Sequence, residues 1–153
     1  MAVVEDTIKV LGFVMNEQMF ALDISKVKEV VEYGDLTFVP KAPECAMGVF
    51  NYHGKVITVV DLAKFFNIES ADVTPDTRIV ILAGDDYSLG FCVDRADKIE
   101  NVSKDALQAP KESASDKGFV GAVVRVEDRL YNLLDPETLL DAIEEEFSAA
   151  NLR

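Results

Sequence analysis

The sequence predicts a mainly β protein: two small antiparallel barrels of one plan, packed side by side, with short helices and a C-terminal amphipathic helix. Three observations predict it. Apolar, β-branched runs of strand length recur along the chain, separated by Gly, Asn, Asp and Pro. Two of these runs, VITVVD and LYNLLD, end in an aspartate placed to cap a helix. The two halves can also be laid on each other. VMNEQMFALD (14–23) resembles ILAGDDYSLG (81–90), Ala42-Pro43 matches Ala109-Pro110, and Gly48-Val49 with Asp61 matches Gly121-Ala122 with Asp135, the offset drifting from 67 to 74 residues. Curling each short sheet into a barrel removes its exposed edges.

In chain order, residues 1–7 read as a frayed terminus. Ile8–Met15 and Met19–Ile24 form a hairpin about Asn16-Glu17. Ile24, Val27 and Val31 have helical spacing, which predicts about one turn of helix near 24–30, then an extended segment toward Val39. Pro40 and Pro43 lack N–H groups and bias their predecessors toward extended structure, so 40–47 is neither a central strand nor a long helix. Gly48–Asn51 and Lys55–Val60 form a hairpin about Tyr52-His53-Gly54, where Gly takes positive φ freely and His tolerates it. Val56, Ile57, Val59 and Val60 predict a strand buried on both sides. Asp61 caps a short helix with Leu62, Phe65 and Phe66 on one face.

Residues 67–76 are polar, contain Pro75, and predict a connection and a subdomain boundary. Arg78–Leu82 and Ser88–Val93 form a second hairpin about Gly84-Asp85-Asp86, and 111–118 is a second polar loop. Phe119–Val126 and Leu130–Leu134 form a third, joined by Glu127-Asp128-Arg129. Asp135 then caps a helix with Pro136 at its first position, where the missing N–H is harmless. Leu139, Ile143 and Phe147 make its apolar stripe, and its acids read as a solvated face.

With 153 residues the chain can bury about 70% of its unfolded surface in one core. Its 49% apolar and 28% charged residues predict a soluble globular protein. A net charge of −13 argues against nucleic-acid or acidic-membrane partners, which need clustered Lys and Arg. No signal peptide and no apolar run of about 20 residues is visible, so the expected location is the cytoplasm, without membrane insertion. Cys45 and Cys92 sit in apolar settings without C-x-x-C spacing and read as small packed residues.

Chemistry is sparse. Cys45, His53 and Asp61 can be written as a triad, but Asp61 lies a full strand from the turn, roughly 20 Å away at ~3.3 Å per residue. One histidine is too few for a zinc site, and Asp85-Asp86 lacks the spacing of an EF-hand loop. Neither phosphate-binding glycine motif occurs. No catalytic residue, metal or cofactor is assigned, and a protein-binding surface remains.

The ordered set P-x-A-P (40–43), G-V-x-N-x-x-G (48–54), V-I-x-V-V-D-L (56–62) and F resembles the CheW-type coupling proteins of bacterial chemotaxis. The resemblance extends to Phe20–Ile24, Val27–Val30, Thr77–Ile81, Gly90–Asp94, Phe119–Gly121 and Leu133–Asp135, covering roughly 8–147. It implies two SH3-like five-stranded barrels around a shared apolar core with a groove between them. It implies one CheW-like domain over 1–153, with approximate subdomains 14–76 plus the C-terminal helix and 77–135 plus the N-terminal strand. It implies no catalysis, and an adaptor bridging the tips of transmembrane chemoreceptors to the regulatory domain of the chemotaxis histidine kinase, recruited to membrane-associated receptor arrays. The implied protein-binding residues are Val27 and Glu29 at the partner-facing groove, the turn Asn51, Tyr52, His53 and Gly54, and Arg78 with Ile79 at a receptor-contact strand. Each also reads as an ordinary surface or core residue. The family turn is usually Asn-Leu-Arg-Gly; His53 replaces its arginine, an always-charged bidentate donor, which puts salt-bridge recognition there in doubt. Arg78 is a candidate to restore that charge.

Three other readings stay open. A CheW-like scaffold could serve a different histidine-kinase pathway. A small β-barrel enzyme or ligand-binding domain predicts a deep polar pocket around His53 or Cys45. A single-strand nucleic-acid binder is opposed by the charge. A fused receiver domain has no room in 153 residues.

Overall fold

Strand after strand is buried on both faces, because two barrels share one layer of side chains. The computed structural model describes residues 6–84, 88–109 and 118–151. The expected turn at Asp85-Asp86, the loop at 111–117 and residues 1–5 lie outside the described residues.

The first sheet contains β1 (Thr7–Met15), β2 (Gln18–Asp23), β8 (Arg95–Ser103), β9 (Leu107–Gln108), β10 (Val120–Val126) and β11 (Arg129–Leu134), in the order β8-β1-β2-β11-β10-β9. The second contains β3 (Val27–Glu32), β4 (Ala46–Tyr52), β5 (Lys55–Asp61), β6 (Arg78–Leu82) and β7 (Leu89–Val93), in the order β3-β6-β7-β5-β4. Two helices complete the fold, α1 (Leu62–Phe65) after β5 and α2 (Pro136–Asn151) after β11. The mainly β architecture with a C-terminal helix is as the sequence predicts.

Both sheets curl shut in the same way. After β3 the chain bends until Thr37 and Val49 of β4 exchange backbone hydrogen bonds of 2.8 and 2.9 Å. One stretch of chain thus touches both edges of its sheet. In the other sheet β8 bends through a 3-10 turn, Lys104–Ala106, into β9, which pairs with β10 at the opposite edge. Counting β8 and β9 as one bent strand leaves five strands.

The pairing departs from the expected all-antiparallel order. β2 runs parallel to β11, and β5 runs parallel to β7. Each N-terminal hairpin of a repeat is inserted into the barrel completed by the other repeat. The polar 67–76 segment therefore joins strands of one sheet, and the chain changes sheets near Ile24 and Asp94 instead. One barrel is residues 27–93; the other is 7–23 with 95–134.

Alternation along each strand explains the double burial. Leu11, Phe13 and Met15 face the shared core with Phe20, Leu22, Val60, Val80, Leu82 and Phe91, while Val10 and Ala21 fill one barrel and Ile57, Val59, Ile79 and Ile81 the other. Leu139, Leu140 and Ile143 of α2 close the shared layer. Phe20, Phe66 and Phe119 pack with ring centroids 5.7 and 5.6 Å apart, joining elements of both barrels. Both predicted caps form: Asp61 Oδ1 accepts from the Lys64 amide at 3.1 Å, and Asp135 Oδ1 from the Thr138 amide at 3.4 Å.

Two further expectations are corrected. Ile24–Lys26 is a single 3-10 turn, and the helix expected through residue 30 is instead β3, held by β6. Val56 is not buried but 56% exposed, because the shared core covers only the far end of β5.

Gly48 makes barrel closure feasible. Its φ is 151°, and a Cβ there would sit 2.7 Å from the Thr37 carbonyl oxygen. Gly48→Ala should lower stability by about 2 kcal/mol or more through strain and lost closure. Urea unfolding measures it; a midpoint equal to wild type would contradict this account of Gly48.

Candidate functional site

The hairpin of β4 and β5 ends in a two-residue turn. His53 and Gly54 have φ of 50° and 84°, as a type I′ turn requires. The Asn51 side chain locks it, its Oδ1 accepting from the Gly54 amide at 2.8 Å. Tyr52 leaves the turn as the last residue of β4, and His53 packs edge-on against its ring at 4.4 Å between centroids.

Glu29 reaches the same place from the other edge strand. A β-bulge between Val27 and Glu29 breaks the alternation of β3, so consecutive Lys28 and Glu29 are both exposed. The Tyr52 hydroxyl donates to Glu29 Oε1, and Lys28 Nζ lies 5.9 Å from the Tyr52 ring centroid. The hydrogen bond to Glu29 raises the tyrosine's ionisation above its ordinary range, because a phenolate would face a carboxylate.

The structure thus gathers Glu29, Asn51, Tyr52, His53 and Gly54 at one rim of the barrel. Val27 is half-buried at its base, packed against the shared core. Arg78 and Ile79 are not gathered there. Arg78 sits opposite Glu32, three residues along β6 from the partner of Glu29, and its Nη1 donates to the carbonyls of Pro75 and Thr77. It does not replace the missing turn arginine. Ile79 is 1% exposed, inside the barrel, so its side chain faces no partner.

Sequence reasoning missed the Tyr52–Glu29 contact; only the turn itself carried a local signal. It also missed Phe38, 77% exposed, whose neighbour Val39 lines a shallow cavity of about 260 Å³ with Pro40, Pro43, Val49 and Phe147. A second cavity of about 210 Å³ opens between the barrels, lined by Leu22, Lys26, Leu82, Phe91, Pro136 and Leu140.

The triad does not assemble. Cys45 lies against Asp61, whose amide donates to its carbonyl at 2.7 Å, at the opposite end of the hairpin from exposed His53. The Cys45 thiol donates to Glu146 Oε2 at 3.5 Å. Among the described residues no group of three or more His, Cys, Asp or Glu could hold a metal ion, and no helix is long and apolar enough to cross a membrane.

The profile of the CheW-like domain matches residues 9–144. The chain belongs to the CheW family. It is 30% identical to chemotaxis protein CheW of Bacillus subtilis over 135 residues, covering 87% of this chain and 86% of that protein. It is 31% identical to chemotaxis protein CheW of Thermotoga maritima, covering 88% and 89%. The crystal structure of the scaffolding protein TtCheW from Thermoanaerobacter tengcongensis superposes with a TM-score of 0.78 at 29% identity, covering 84% of this chain and 88% of that one. CheW proteins are non-catalytic scaffolds of chemotaxis.

Burial pushes both thiols up to about 12 from the ordinary 9, helped at Cys45 by Glu146 and at Cys92 by Asp61. Unfolded thiols ionise first as pH rises, so the unfolded state binds fewer protons above about pH 9 and stability falls from there toward 12. At pH 7.5 both cysteines should resist an aromatic disulfide reagent until urea unfolds the protein. Labelling of the native protein within minutes would contradict this.

Proposed function

We propose that this chain couples transmembrane chemoreceptors to the chemotaxis histidine kinase, binding the kinase regulatory domain and the cytoplasmic tip of the receptors. It works in the cytoplasm, at membrane-associated receptor arrays, without entering the membrane and without nucleic acid. The observation that carries this reading is the family match over 9–144, with relatives named for chemotaxis. The geometry fits it. Two barrels locked by one core form a rigid body with room for two partners at once. The exposed apolar Phe38 and Val39, beside a shallow cavity, suit the kinase domain. The polar rim of Val27, Glu29 and Asn51–Gly54 suits the receptor hairpin.

A net charge of −13 keeps such an adaptor soluble while an apolar patch stays open. Calorimetric titration with the regulatory domain of a chemotaxis kinase from the same cell should show micromolar or tighter binding. Phe38→Glu should weaken it roughly tenfold or more, a loss of about 1.4 kcal/mol. No binding of the wild-type protein to any such kinase domain from that cell would sink the coupling role and leave the fold.

A further inference from the structure

The rim of the second barrel holds a carboxylate in a fixed place with no cation paired to it. Among the described residues Glu29 has no ion-pair partner within 4.0 Å. Its Oε1 accepts from the Tyr52 hydroxyl, which leaves Oε2 for a second donor on a residue that is itself exposed. The residue that holds it is itself held. Tyr52 is the last residue of its strand, beside a turn locked by Asn51, and His53 braces its ring at 75°. The ring face already draws a cation, the Lys28 ammonium at 5.9 Å. An exposed carboxylate already held in one place and without an ion pair is the surrounding a guanidinium or ammonium group prefers, through a charge-assisted hydrogen bond.

We propose that Tyr52 is a positioning residue: its hydroxyl fixes the Glu29 carboxylate so that Oε2 receives an arginine or lysine side chain of the receptor hairpin. The proposal rests on the coupling role above and deepens it by naming the chemistry of the contact. An exposed glutamate samples several rotamers, and fixing one before the partner arrives removes part of the entropy lost on binding. The bulge in β3 is what lets Glu29 and Lys28 reach Tyr52 together. This chain presents an anion held by a phenol, so it selects a partner residue of opposite sign.

The test is a double-mutant cycle on receptor binding, read by calorimetry with a soluble helical-hairpin fragment of a receptor tip from the same cell. Glu29→Ala should weaken binding about tenfold. Tyr52→Phe, which keeps the ring and loses only the hydroxyl, should weaken it roughly three- to fivefold. In the Glu29→Ala background Tyr52→Phe should have no further effect, which a general structural role for the hydroxyl would not produce. Salt should weaken wild-type binding more steeply than that of Glu29→Ala.

Wild-type affinity in Tyr52→Phe, or an equal loss with and without Glu29, overturns the positioning role while coupling stands. Unchanged affinity in Glu29→Ala overturns the cation contact itself. Failure of the wild-type protein to bind either receptor fragment or kinase domain overturns the coupling reading on which both depend.

Discussion

A single apolar layer, owned by neither barrel, holds the molecule together. Phe13, Phe20, Leu22, Val60, Val80, Leu82 and Phe91 meet in it, and α2 seals it with Leu139, Leu140 and Ile143. Each barrel also has its own small interior, but among the described residues those interiors hold four or five buried side chains each. Neither is large enough to secure a domain of its own size, where so little of the unfolded surface can be removed from water. The shared layer supplies the rest, and the two parallel pairings, β2 with β11 and β5 with β7, fix the hairpins that build it. The rim of β3 and β4 is tied to this layer through Val27 and Val30 of β3, which pack against it.

Much of this was legible because it is local. The hairpin turns at Asn16-Glu17 and His53-Gly54, the aspartate caps and the apolar stripe of α2 all depend on residues a few positions apart. What failed was long-range. The spacing of Ile24, Val27 and Val31 fits a helix, yet hydrogen bonds from β6 draw that stretch into a strand. β8 escaped notice because RADKIENVS buries only Val102; it is an edge strand, solvated on most of its length. The exchange of hairpins between repeats has no local signature at all, since similar repeats pair equally well with themselves on paper.

The site divides in the same way. Asn51 and Gly54 announce a tight turn from their types alone. The meeting of Tyr52 with Glu29 does not, since they are 23 residues apart and lie on the two edges that the barrel brings together. Arg78 and Ile79 matched a pattern in sequence, but Ile79 points into the barrel and Arg78 folds back on the carbonyls of Pro75 and Thr77. A side chain's presence in a motif says nothing about which face of a strand it occupies until the register is known.

The exchanged hairpins also set the order of events during synthesis. β1 and β2 leave the ribosome first, yet Thr7 pairs with Ser103 and Phe20 with Asn132, residues made about a hundred positions later. At translation rates of about 5–20 residues per second, the first hairpin waits roughly 5–20 seconds for the strands on either side of it. Meanwhile the 27–93 barrel can close on strands that are already present, apart from the shared layer. Through that interval Leu11, Phe13 and Met15 are without their cover, so the newborn chain, unlike the finished one, is a natural client for chaperones that hold extended apolar segments.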